Sequence, residues 1–210
     1  REVTQVMWLF AVAGLSLGIS AGISPGPLFA MVVAQTLRYG LGEGLKTAIS
    51  PLFTDIPIIF LSIALLAGMS GYQQLLGLIS LAGGLFLLHM AYASFRPGDI
   101  ETPSAATAMG SLLKGALVNA LSPHPYLFWI MVGGPIILNA KAQGWLSVLS
   151  FVAGFYLALI GSKIGLALLV NRSRNFLQGN SYRVLMKIMG MVLLLFAFLL
   201  LKEGVRLLIR

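Results

Sequence analysis

The chain has 210 residues, 58% of them hydrophobic and only 10% charged, with no cysteine and a formal net charge of +8. Soluble domains carry roughly 25% charged residues, so this composition excludes an ordinary soluble fold and reads as an all-α integral membrane protein. The missing cysteines exclude disulfides, thiolate metal sites and thiol-disulfide chemistry. The basic residues are scattered over loops and helix ends, which is a topology signal and not a nucleic-acid footprint.

A spanning helix takes about 20 residues, so the chain has room for about six as one membrane domain over residues 1–210. The first apolar region, Val6 to Leu37, is too long for one straight span and is interrupted at Ser24-Pro25-Gly26-Pro27. Proline removes a backbone donor and clashes with the preceding turn, so this motif predicts one broken or strongly kinked helix. The first 23 residues have the hydropathy of a signal peptide, but they lack a clear cleavage context and run straight into the proline motif. Gly14, Gly18 and Gly22 form a doubled G-x-x-x-G run suited to close helix packing, and a homodimer through that face stays open.

Span two is expected over Ile49 to Gly68 with Asp55 inside it, then a tight turn at Met69-Ser70-Gly71-Tyr72, and span three over Leu75 to Phe95. The hydrophilic stretch Arg96 to Thr107, within a linker at 96–110, divides repeat one (1–95) from repeat two (111–210). Span four is expected over Gly115 to Leu138, with Ser122-Pro123-His124-Pro125 inside it and a stop or bend at Gly133-Gly134-Pro135. Spans five and six follow over Trp145 to Val170 and Val184 to Leu201.

The two S-P-x-P motifs start at 24 and 122, 98 positions apart, one in each half. Three spans per half force a duplicated unit to insert with opposite orientation, so the expected fold is six transmembrane helices as two inverted three-helix repeats. An offset of 100 also aligns Gly44 with Gly144, Ser50 with Ser150 and Ser62 with Ser162. Eight lysines and arginines fall on the side of loops 1-2, 3-4 and 5-6 against five on the other, which favours the first side as cytoplasmic with both termini outside.

A helix that restarts inside the membrane presents unpaired N–H groups at the positive end of its dipole, suited to a carboxylate. Two such ends, after Pro27 and Pro125, would bracket a small zwitterion, with Ser24 and Ser122 capping the restarted helices. An ionisable group buried in lipid costs at least about 2.5 to 3.5 kcal/mol on insertion scales, which singles out Asp55, His124 and Lys163. At ~1.5 Å per residue they lie about 9, 13 and 10 Å from the cytoplasmic face. Asp55 reads as a partner for a substrate amine or a proton, and His124 as a titratable group in the second break. Lys163 reads equally as a snorkelling interface residue and as a partner of Asp55. His89 reads as a polar group reaching an interface, and Tyr126, Phe128 and Trp129 either shape a cavity or pack.

An early P-G-P in a broken first span, Asp55 in span two, and Asn119-Ala120-Leu121-Ser122-Pro123-His124-Pro125 followed by aromatics together resemble the LysE/RhtB family of amino-acid exporters. Members of that family typically carry Asn-Pro-Lys where this chain has Ser122-Pro123-His124. The resemblance implies secondary efflux of small solutes, mostly amino acids, from a cell membrane, plasma or inner. The expected substrate-binding residues are Ser24, Pro25, Gly26, Pro27, Asp55, Asn119, Ser122, Pro123 and His124, with Asp55, His124 and Lys163 in coupling. The expected partners are a small-molecule substrate, protons and the lipid bilayer. No enzyme activity, cofactor, resident metal or nucleic acid is expected. A metal or inorganic-ion exporter and a passive channel stay open as alternatives.

Overall fold

In the computed structural model the described residues are 2–66, 72–95, 105–174 and 180–209. They form helices throughout, with no strand among the described residues. The turn expected at Met69–Tyr72 and the hydrophilic stretch at 96–104 lie largely outside the described residues. Residues 105–110, expected in the linker, are the first turns of a helix.

The Val6 to Leu37 region divides into α1 (Glu2–Ile23) and α2 (Pro27–Tyr39). At ~1.5 Å per residue, 22 residues reach about 33 Å, and Gln5–Ile23 alone is long and apolar enough to cross a membrane. Both pieces nevertheless follow one partner, α9 (Trp145–Arg174), in the same sense. Gly14 faces Phe151, Gly18 faces Phe155 and Gly22 faces Ser162, and Val32 on α2 shares a cluster with Ala167. The small-residue run is therefore the seam on which α9 packs within the chain. The three glycines of that face are taken up by α9 of the same chain.

A glycine with φ of 96°, Gly40, ends α2 and starts α3 (Leu41–Ile49), a joint that side-chain-bearing residues rarely adopt. After Ser50 the chain continues as α4 (Pro51–Leu66), and Leu41–Ser62 together pass as one span. Pro51 has no N–H to offer the carbonyl of Thr47, and the Ser50 hydroxyl donates to that carbonyl instead, at 2.8 Å. The helix α5 (Tyr72–Phe95) packs antiparallel to α10 (Asn180–Ile209), with Gly84 against Leu201 and Gly190 against Ser94.

The second motif separates α6 (Ala105–Ala120) from α7 (Pro123–Phe128), a 53° bend. From α7 the helix runs on through a π-helical turn, Trp129–Gly133, into α8 (Gly134–Gln143). The stop or bend expected at Gly133-Gly134-Pro135 is this π turn. It absorbs the missing N–H of Pro135 without ending the helix, and Gly133 leaves the room that the Trp129 ring fills. Gly144, with φ of 120°, joins α8 to α9 as Gly40 joins α2 to α3. Gly40 and Gly144 share a positive φ at a helix joint, while Gly44 lies inside α3 against Thr36.

Among the described residues four helices are long and apolar enough to cross a membrane, five if the bent pair of α6 with α7–α8 is one span. Large apolar side chains point outward, Phe60 at 74% and Leu157 at 72% exposure, as a lipid-facing surface requires. At the centre sits α2, buried from Pro27 to Tyr39 with few exceptions against α3, α6, α9 and α10. Its cluster with α5 and α10 includes Met31, Leu87, Ala91, Leu193 and Ala197.

Candidate functional site

The two helix breaks meet in one cavity of about 400 Å³. Ser24, Pro25, Gly26, Pro27, Asp55, Asn119, Ser122, His124 and Lys163 all line it. Pro123 is the exception among the residues singled out from the sequence: it is buried at the start of α7 behind the lining. Counted along α3–α4, Asp55 lies 14 residues from Leu41, about 21 Å at 1.5 Å per residue. Lys163 lies 11 residues from Arg174, about 17 Å by the same rise. These ends lie on the same side of the helix bundle, and α3 lengthens the run before Asp55 beyond the span start expected at Ile49.

The carboxylate of Asp55 is 4% exposed and held on both oxygens. Asn119 Nδ2 donates to Oδ1 at 2.7 Å, and the Tyr156 hydroxyl donates to Oδ2 at 3.1 Å. Asn119 Nδ2 also reaches Thr54 Oγ1 at 2.7 Å, tying α6 to α4 across the site. Lys163 is 3% exposed, so the snorkelling reading falls. Its Nζ donates to the Gly22 carbonyl at 3.3 Å, one of the orphan carbonyls at the C-terminal end of α1. A cation there also meets the negative end of the helix dipole. Lys163 and Asp55 share the cavity without a direct ion pair, so the expected pairing is replaced by this helix-end contact.

Neither serine caps its helix as expected. The N-cap of α2 is Gly26 in extended conformation, with no side-chain cap bond, because the chain stays extended for two residues past Ser24. Ser122 does occupy the N-cap of α7 but makes no cap bond, and its buried Oγ has no hydrogen-bond partner. The two helix starts also differ in donors. At α2 only Pro27 lacks an N–H, leaving those of Leu28 and Phe29 free of the helix ladder. At α7, which begins at Pro123, both Pro123 and Pro125 lack one, and His124 is the sole free donor of the first three positions. The carbonyl of Ala120, stranded by the second break, accepts from the Tyr126 hydroxyl at 2.8 Å.

One wall of the cavity is aromatic. Phe128 stacks on Phe155 at 5.1 Å, and Trp129, 1% exposed, packs edge-on against both. Tyr126 instead braces the helix break, and Phe128 and Trp129 shape the cavity. Sequence reasoning missed Tyr156 and Phe155. Tyr156 lies seven positions before Lys163, two helical turns, so the face of α9 that carries Lys163 was the available signal. At the other end of α2 the packing is closed by a polar set. Ser111 Oγ donates to Gln35 Oε1 at 2.9 Å, Thr47 Oγ1 to the Ser111 carbonyl at 3.3 Å, and Lys46 pairs with buried Glu43 at 2.8 Å.

Comparison with known proteins gives the family. The arginine exporter protein ArgO of Klebsiella pneumoniae is 30% identical over 215 aligned positions, covering 95% of this chain and 96% of that protein. The uncharacterized membrane protein YahN of Escherichia coli is 26% identical over 194 positions, covering 87% of this chain and 84% of that one. No solved structure matches with significance. The family described as LysE type translocator matches residues 19–204. With the match running across both breaks and every residue of the cavity from Ser20 to Lys163, the chain belongs to the LysE type translocator family and is a multi-pass transport protein of the cell membrane.

Proposed function

We propose that this protein is a secondary-active exporter of small solutes, amino acids or their derivatives, coupled to protons and working by alternating access. The observation that carries the reading is the cavity itself, where a buried carboxylate, a buried ammonium and two interrupted helices converge. A volume of about 400 Å³ lies in the usual range of about 300–1,000 Å³ for small-molecule sites. The name of the Klebsiella relative, an arginine exporter, supports amino acids as the solute class.

In this mechanism the N–H groups of Leu28 and Phe29, at the positive end of α2, bind the solute's carboxylate with help from the second helix start. Asp55 takes the amino group or exchanges a proton, His124 relays that proton, and Lys163 offsets charge when Asp55 is occupied. The six-span, two-repeat plan is favoured by the matched joints at Gly40 and Gly144 and by a broken helix in each half. Rocking one repeat against the other would then open each side in turn.

A passive pore would have to continue past Leu28 and Val118, whereas α2 beyond that point is buried to Tyr39 and sealed by the Gln35, Ser111 and Thr47 contacts. A metal-ion exporter gains no support from the donor set, since no group of three His, Asp or Glu converges among the described residues. The test is transport in proteoliposomes under an imposed pH gradient. Efflux of labelled amino acid should follow the gradient and be lost in Asp55→Asn. Movement indifferent to both would end the coupling model.

A further inference from the structure

The charged groups of the cavity constrain the solute further, granted the exporter reading above. Among the described residues three ionisable side chains line it: Asp55, Lys163 and His124. Asp55 and Lys163 do not neutralise each other by contact. The carboxylate is held by Asn119 and Tyr156, and the ammonium rests on the Gly22 carbonyl. Each is therefore in place to meet an opposite charge on a solute. One carboxylate and one ammonium match a solute that carries one charge of each sign.

Most of the rest of the lining has a different character. Leu17, Phe128, Trp129, Val132, Phe155 and Leu159 present hydrocarbon and aromatic surface, Ser20, Ser24 and Asn119 add neutral polar groups, and among the described residues no second carboxylate lines the cavity. The Ser122 hydroxyl, at the start of α7, is buried without a partner. A solute that spends its α-ammonium on Asp55 and its α-carboxylate on Lys163 and the α2 N-terminus turns its side chain to the apolar wall and, among the described residues, to no second carboxylate. A side-chain cation in that position would lose its hydration and find no counter-ion. Aromatic faces return only part of that loss.

We infer that the solute of this chain is an α-amino acid with an uncharged, apolar side chain, and that the cavity discriminates against dibasic amino acids. This separates the chain from what the name of its Klebsiella relative states for that protein.

The experiment is counterflow into proteoliposomes of the full chain, with labelled leucine and labelled lysine in parallel and unlabelled norleucine, lysine and arginine as competitors. Norleucine has the lysine chain without its terminal ammonium, so the pair isolates charge from length. Leucine should move, and norleucine should compete at concentrations about tenfold or more below those of lysine and arginine. Lysine moving as well as leucine, or competing as well as norleucine, overturns the inference and leaves amino-acid export standing. If neither label moves in vesicles made from protein that was monodisperse before reconstitution, the exporter reading falls and this inference falls with it.

Discussion

The close approach of α1 to α9 makes a sharp prediction, because it rests on missing side-chain atoms. A methyl group added at Gly18 would lie 2.8 Å from Ala158 Cβ and 3.0 Å from the carbonyl carbon of Phe155. Non-bonded carbons sit at about 3.5–4.0 Å, so the helices would have to part by about 1 Å. Overpacking of this kind costs about 1–3 kcal/mol, against a gain of up to about 1 kcal/mol from replacing glycine by alanine within a helix. Gly18→Ala should therefore lose about 1–2 kcal/mol, a fall in Tm of about 3–6 °C for a chain of this size. Gly161, on α9 itself, is the control: a methyl there meets nothing within 4 Å. Gly161→Ala should match the wild type or exceed it by up to about 1 kcal/mol. Thermal unfolding of the three proteins in one detergent decides the matter. Equal stability of the two variants would refute the claim that this seam is held by backbone proximity. Transport should fall in Gly18→Ala as well, since the same seam carries Gly22 to Lys163 one turn further on.

Two further outcomes follow from the cavity. Ser122→Ala removes a buried hydroxyl that has no partner in the protein, so Tm should hold or rise while the apparent KM for the solute increases roughly threefold to tenfold; a fall in Tm with unchanged KM would show the hydroxyl to be structural. Trp129→Ala empties the best-buried part of the aromatic wall and should cost about 3–5 kcal/mol in detergent unfolding. A loss under about 1 kcal/mol would mean that the π turn can close over the gap.

How far the site could be read from the chain depends on the residue. Asp55 and Lys163 were legible because a charge within an apolar run has to be justified by pairing or function. The prolines were legible because their effect on a helix is local and unconditional. Tyr156 was illegible by composition, since an aromatic residue in a span is as much at home in lipid or packing as at a carboxylate. Its role follows from the rotation of α9 against α1, which the glycine seam sets. The serine caps were misjudged because a motif gives the neighbours of a proline but not how many residues stay extended before the helix restarts. Two more residues intervene before α2 starts at Pro27, and at Ser122 the hydroxyl is buried without a partner.

The sequence by itself determined the solvent, the helical class and the places where helices break. Each of these follows from local chemistry: apolar runs long enough for a bilayer, and missing backbone donors at the two proline motifs; the joints at Gly40 and Gly144 emerge only in the fold. Only the tertiary structure decided which helix lies on which and at what depth. It laid α1 and α2 end to end along α9, gave the Gly22 carbonyl to Lys163, and brought Asn119 and Tyr156 to opposite oxygens of Asp55 from two other helices. Those contacts join residues 64, 101 and 141 positions apart, and helix packing across such separations depends on side-chain shape at every seam at once. No local pattern encodes it.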